Sequence, residues 1–180
     1  MNSNVKIENV VASASLGQKF DLELITLAID KVEYEPEQFP GLVYHLDKPK
    51  AAALIFGSGK IVCTGAKSIP EAKIAISRII DKIREGGTEI TGKPEVIIQN
   101  VVATANLHAE LNLDAIAIGL DNTEYEPEQF PGLVYRMKVP KVVLLLFGSG
   151  KIVCTGAKSV GDAEQAAKNV RKKLAGLGLL

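Results

Sequence analysis

The chain is one text written twice. Shifted by 91 residues, Ile7–Ser68 overlays Ile98–Ser159 without a gap, and 38 of the 62 positions are identical. That period is too long for a stacked solenoid. It predicts instead two copies of one incomplete layer, packed side by side with pseudo-twofold symmetry. The 180 residues suit one domain or two small ones. The first repeat is read as residues 1–91 and the second as 92–180. The stretch Glu85–Val96, "EGGTEITGKPEV", carries Gly, Thr and Pro and reads as the linker.

Each copy has the same punctuation. Val5–Ala14 is rich in Val and Ile and predicts a strand. Asp21 can cap a helix to about Ile29, because Leu22, Ile25 and Ile29 recur every three to four residues. Lys31–Glu35 predicts a short strand stopped by Pro36. Leu42–Leu46, Ala51–Phe56 and Ile61–Ala66 follow as strands, with turns at "DKPK" and "GSG". Ser68 or Pro70 opens a long helix to about Arg84, with Ala72, Ile76, Ile79, Ile80 and Ile83 on one stripe. The order β-α-β-β-β-β-α and its short hairpins predict an α+β fold. Two copies make an antiparallel sheet of about ten strands with helices on one side.

Helices can cover one face of that sheet, so the other face is the candidate for function. A turn at Lys48-Pro49 pairs Asp47 with Lys50 and puts position 41 opposite Phe56. Phe39 then meets Phe56 at the end of the hairpin, and Phe130 meets Phe147 in the copy. Eight of the nine aromatic residues form matched sets between the copies; Phe20 alone has no aromatic counterpart. Alternation sends Val10, Ala12, Ile55, Ile61 and Cys63 to the helices and groups Gly65 with Ile61 and Cys63. The open face collects Asn9, Val11, Leu54, Phe56, Val62 and Thr64. The second copy repeats them as Asn100, Val102, Leu145, Phe147, Val153 and Thr155. An apolar face of this size calls for a partner.

Formal net charge is zero. The first repeat has 11 Lys/Arg against 12 Asp/Glu and the second 10 against 9, which weighs against a broad cationic surface as the means of binding but leaves room for a binder that works by shape and apolar contact. No apolar run approaches the ~18 residues of a membrane span. The start "MNSNVKIENVV" lacks a basic segment followed by an apolar one, so a soluble intracellular product is expected. Cys63 and Cys154 read as small core residues, since no clustered His makes a zinc pattern. "GSGK" lacks the spacing of a phosphate-binding loop and is followed by Ile61 and a strand, so it reads as a hairpin turn. His45 and His108 do not match between copies and have no catalytic constellation near them.

The tandem strings "NVVA", "EYEPEQFPGLVY" and "FGSGKIVCTGAKS" resemble the TATA-box-binding protein family. The resemblance covers about Val5 to Leu174. A chain that starts almost at the core is similar to the archaeal branch. The resemblance implies a saddle: helices on the convex side, and a curved sheet whose concave side sits on the minor groove of TATA-box DNA. It places wedge phenylalanines at Phe39, Phe56, Phe130 and Phe147, with Pro131 beside the third. Central asparagines fall on Asn9 and Asn100, and groove-lining threonines on Thr64 and Thr155. Val11, Leu54, Val62, Val102, Leu145 and Val153 match the apolar floor. Lys60, Lys151 and Arg136 are placed for phosphates; His45, opposite Arg136, departs from the pattern. The loop ahead of the second Phe-Pro implies a transcription factor B-class partner on Glu126 and Glu128, and through it RNA polymerase. No cofactor, metal or enzymatic step is implied, and the expected location is the cytoplasm, at the nucleoid.

The chemistry suits those residue types. The minor groove of A·T pairs offers acceptors alone, whereas guanine adds an amino group. Val and Leu give that amino group no partner, while Asn and Thr can donate to adenine N3 and thymine O2. Minor-groove proteins, of which this family is a standard example, enter base steps with apolar wedges. Unstacking is easiest at flexible TA steps. Two other classes fit a duplicated sheet: an apolar small-molecule site, which predicts a polar anchor on the open face, and a protein-interaction scaffold. A preference for an A·T-rich over a G·C-rich duplex separates the three.

Overall fold

The computed structural model describes residues 5–180; the first four residues of the stretch read for a signal lie outside that range. The first copy runs β1 (Lys6–Ser15), α1 (Leu22–Ala28), β2 (Val32–Glu33), β3 (Leu42–Asp47), β4 (Lys50–Ile55), β5 (Lys60–Ala66) and α2 (Ile69–Glu85). The second repeats it as β6 (Val96–Asn106), α3 (Leu113–Gly119), β7 (Thr123–Glu124), β8 (Leu133–Met137), β9 (Val142–Leu146), β10 (Lys151–Ala157) and α4 (Val160–Gly176). Hydrogen bonding orders the ten strands β2-β3-β4-β5-β1-β6-β10-β9-β8-β7, an antiparallel sheet that does not close. Two compact units result, Asn9–Gln99 and, among the described residues, 5–8 with Asn100–Leu180.

Local chemistry sets the element ends. Asp21 accepts from the Leu24 N–H at 3.2 Å, and Asn112 from the Ala115 N–H at 3.1 Å. Ser68 and Ser159 cap α2 and α4 by accepting from Glu71 N–H and Asp162 N–H, each at 3.1 Å. These bonds satisfy donors that a helix start would leave open. The first hairpin turn is where the sequence puts it, with Asp47 opposite Lys50. In the copy the ladder closes at Met137 and Val142, leaving a longer loop.

In each unit the helices take one face of the strands. α2 lies on β5 and β4, and α4 lies on β10. Buried beneath them are Val10, Ala12, Leu42, Tyr44, Ile55, Ile61 and Cys63 in one unit, and Leu133, Tyr135, Leu144, Leu146, Ile152 and Cys154 in the other. Both cysteines are free thiols, and burial pushes each up to about 11. That makes them core residues, as small apolar groups with no charge to place. Among the described residues no group of His, Cys, Asp and Glu could hold a metal ion, and no helix is long and apolar enough to cross a membrane.

One alternation fails, for a physical reason. Gly65, grouped by parity with Ile61 and Cys63, is exposed, and Ala66 takes the core place instead. The pairing with β1 shifts register there, and Gly65 sits at φ +100. A bulge has added one residue to the strand, which glycine permits because it tolerates positive φ. Gly156 at φ +91 does the same in the copy.

Candidate nucleic-acid interface

Opposite the helices, cross-strand rows build the open face. In one unit Val43 stands against Leu54, Leu54 against Val62, and Val62 against Ser13. In the other, Val134, Leu145, Val153 and Thr104 form the same row. Leu54, Val62, Thr64, Val11 and Asn9 are half-buried, as are Leu145, Val153, Thr155, Val102 and Asn100. No helix covers them. Val43 and Val134 belong to this floor as well; the same alternation that found Leu54 would have found them.

Each unit carries its phenylalanines as a pair. Phe39 and Phe56 have ring centroids 5.9 Å apart at 67°, and Phe130 and Phe147 5.9 Å apart at 72°. Both are edge-to-face contacts, the arrangement that ring quadrupoles favour. The repeated "EPEQF" explains how the outer ring is held. Its chain coils into a single turn, with Phe39 N–H donating to the Glu35 carbonyl and Phe130 N–H to the Glu126 carbonyl, each at 2.9 Å. The inner ring leaves the end of β4 or β9, where Phe56 N–H donates to the Lys60 carbonyl at 2.9 Å and Phe147 N–H to that of Lys151 at 3.0 Å. Gly41 and Gly132 make room: a Cβ on either would lie 2.8 Å from the outer ring and 3.0 Å from the inner one. Phe39 is 38% exposed and Phe130 40%, high for side chains with this much apolar area.

The bulge also positions the polar groups. Asn9 Oδ1 accepts from the Gly65 N–H at 2.7 Å, and its Nδ2 donates to Thr64 Oγ1 at 3.0 Å. Asn100 repeats this with Gly156 N–H at 2.7 Å and Thr155 Oγ1 at 3.2 Å. A backbone N–H can only donate, so the amide oxygen must face it and the amide nitrogen must point the other way. Each amide keeps one hydrogen for an acceptor outside the protein, while the Thr64 hydroxyl turns its own back to Asn9 Oδ1 at 3.5 Å.

The units differ beside these couples. Gln99 Nε2 donates to Ser13 Oγ at 2.8 Å in one, while the Thr104 hydroxyl donates to Glu8 Oε1 at 3.0 Å in the other. Sequence alternation foresaw only Asn, Thr and rim cations here and missed Glu8. Its parity with Val10 points it to the helices, and nothing in the spacing signals its reach to Thr104. Lys60, Lys151, Pro131, His45 and Arg136 are exposed at the rim. Arg136 Nη2 lies 3.8 Å from Glu124 Oε1, and Lys31 donates to Asp47 at 2.6 Å. Glu126 and Glu128 are exposed in the turn ahead of Phe130. The arrangement provides an apolar strip, paired ring edges, and donors in its midst.

The profile of the family described as "Transcription factor TFIID (or TATA-binding protein, TBP)" matches residues 4–86 and 95–177, one match per repeat. The TATA-box-binding protein of Methanothermobacter thermautotrophicus is 59% identical over 177 residues, spanning 98% of both chains. That of Thermoplasma acidophilum is 57% identical over 178 residues, spanning 98% of this chain and 97% of its own. The solved structure titled "Methanococcus jannaschii TBP" superposes with a TM-score of 0.88 at 55% identity, covering 96% of this chain and 98% of that one.

Proposed function

The chain belongs to the TATA-binding protein family of transcription factors, and from that premise we propose that its open sheet faces bind A·T-rich promoter DNA in the minor groove and bend it. Membership makes it a transcription factor and not an enzyme, and its relatives are archaeal. The observation that carries the reading is the pair of matched phenylalanine couples on the face that the helices leave open. Rings there cost the free protein exposed apolar surface, which entry into base steps would remove from water.

Val11, Leu54 and Val62, with Val102, Leu145 and Val153, line the groove floor and reject the guanine amino group, which would be buried against them without an acceptor. The Asn9–Thr64 and Asn100–Thr155 couples donate to adenine N3 and thymine O2. Phe39 with Phe56, and Phe130 beside Pro131 with Phe147, enter the base steps. Lys60, Lys151 and Arg136 meet phosphates. Glu126 and Glu128 present carboxylates to a basic surface on a transcription factor B-class protein, which recruits RNA polymerase to the bent promoter. The work is done at the nucleoid, in the cytoplasm of a cell without a nucleus.

The test is titration of the full chain against end-labelled A·T-rich and G·C-rich duplexes, reading anisotropy for affinity and energy transfer for bending. A strong preference for the A·T duplex, with its ends brought closer, supports the reading. Equal affinity for both duplexes, or none for either, rejects it in favour of a small-molecule or scaffold role.

A further inference from the structure

We infer that a cleft in the second copy, on the helix side, docks an acidic polypeptide segment carrying an apolar anchor. The cleft holds about 760 Å³ between the end of α3, strand β8 and the C-terminal half of α4. Tyr135 and Met137 supply buried apolar walls. Lys138, Lys172 and Lys173 ring it, with Asp121 the carboxylate among its lining residues and Arg136, paired with Glu124, at its edge. The Lys173 ammonium sits 5.8 Å from the centre of the Tyr135 ring, so charge and apolar surface adjoin. Asn169 Nδ2 donates to the Val139 carbonyl at 3.1 Å and ties the β8–β9 loop to α4 as a rim. Two apolar side chains stand on that rim with no cover, Val139 at 80% exposure and Leu177 at 46%.

The duplication supplies the comparison. Ninety-one residues earlier, Lys138 reads Asp47, Lys172 reads Asp81, Gly176 reads Glu85 and Leu177 reads Gly86. There Asp47 is engaged by Lys31, so the first copy has a balanced, self-paired surface where the second has unbalanced cations beside exposed apolar groups. DNA chemistry does not account for the difference, because phosphates offer nothing to Val139, Leu177 or Met137. A peptide with carboxylates around a Leu or Phe satisfies both kinds of group, and a concave apolar site with a few convergent charges has the form of a ligand cleft.

The test uses a short labelled glutamate-rich peptide with a central Leu-Phe pair, added to the full chain. Lys138→Asp with Lys172→Asp installs residues that the first copy already folds with. This double variant is expected to weaken peptide binding about tenfold while leaving its melting temperature and A·T-duplex affinity unchanged. Amide shift changes on peptide addition are expected at Lys138, Val139 and Lys172, and not at Asp47, Lys48 and Asp81. No binding by the unaltered chain, equal binding by the variant, or equal binding of an all-glutamate peptide overturns the inference. So does displacement of the peptide by a G·C-rich duplex, which would make the cleft a phosphate site.

Discussion

Gly132→Ala isolates the position of the paired phenylalanine rings from their presence. The backbone at Gly132 is not among the positive-φ glycines, so alanine brings no conformational strain of its own. What it brings is a Cβ 2.8 Å from Phe130 Cε1, 3.0 Å from Phe147 Cε1 and 3.2 Å from Phe147 Cζ. Carbon atoms rest at about 3.5–4.0 Å. The outer ring must therefore retreat by roughly 0.7–1.2 Å and the inner by roughly 0.5–1.0 Å. In the free protein both rings border solvent and can swing away, so the melting temperature should hardly move.

Bound to DNA, the rings would have to return to one geometry with the methyl group in their way. Two side chains forced off their rotamers cost about 0.5–1.5 kcal/mol each, or about 1–3 kcal/mol together. At about 1.4 kcal/mol per tenfold, affinity for an A·T-rich duplex falls roughly 5- to 140-fold. The bend, read as energy transfer between the duplex ends, should become shallower. Gly41→Ala should behave alike, since the same 2.8 and 3.0 Å approaches recur there. Unchanged affinity and bend in both variants, with folding intact, would refute the claim that these ring couples act as wedges.

Asn100→Asp keeps an acceptor for the Gly156 N–H but removes the amide donor, so the fold should survive while A·T-duplex affinity drops about tenfold or more; anisotropy alongside thermal melting checks this, and full affinity would end the donor role. Lys151→Ala should make the slope of log affinity against log salt shallower by about 0.9, the signature of one lost phosphate contact. For pH, the hydrogen bond and charge of Lys31 hold the Asp47 carboxyl below its ordinary 3.8. Its contribution is thus present above the unfolded-state value and lost as pH falls through the folded one. Melting of Asp47→Asn should differ from that of the unaltered chain at neutral pH and converge with it only as pH falls below that ordinary value; a gap that persists into stronger acid contradicts the pairing.

What could be read in the sequence was whatever depends on period two and on turn chemistry. The Lys48-Pro49 turn fixes the register of β3 on β4, and from that register Phe39 and Phe56 must meet. Alternation then sorts Val10 from Val11 and Val62 from Cys63. It fails at Gly65 and Gly156, because a bulge advances the count by one. An isolated Gly inside a Val-rich strand is the mark of that device, and here it decides where the Asn9 and Asn100 amides find their anchors. The reach of Glu8 to Thr104 and of Gln99 to Ser13 was illegible for another reason. It depends on the pairing of two strands far apart in the chain, and no turn joins them.

In the core the two copies differ where packing allows compensation. Beneath the helices, Ala51 and Ala53 of β4 become Val142 and Leu144 in β9, while Ile76 and Ile79 of α2 become Ala167 and Val170 in α4. Volume gained on the strand is given back on the helix, a trade that cores tolerate while the total is kept. Across the sheet no such trade is seen at Asn9, Val11, Phe39, Val43, Leu54, Phe56, Val62 or Thr64, each identical to its counterpart. A side chain facing an outside surface has no neighbour in its own chain that can adjust for it. Identity at these eight positions, with exchange on the open face confined to places such as Ser13/Thr104 and Ala52/Val143, and compensated exchange beneath the helices, is what two copies would show if both must fit a partner presenting the same chemistry twice. The acceptors of an A·T-rich minor groove, nearly indifferent to strand direction, are such a partner. The cleft above α4 carries the opposite mark, because there the copies have parted in charge without compensation.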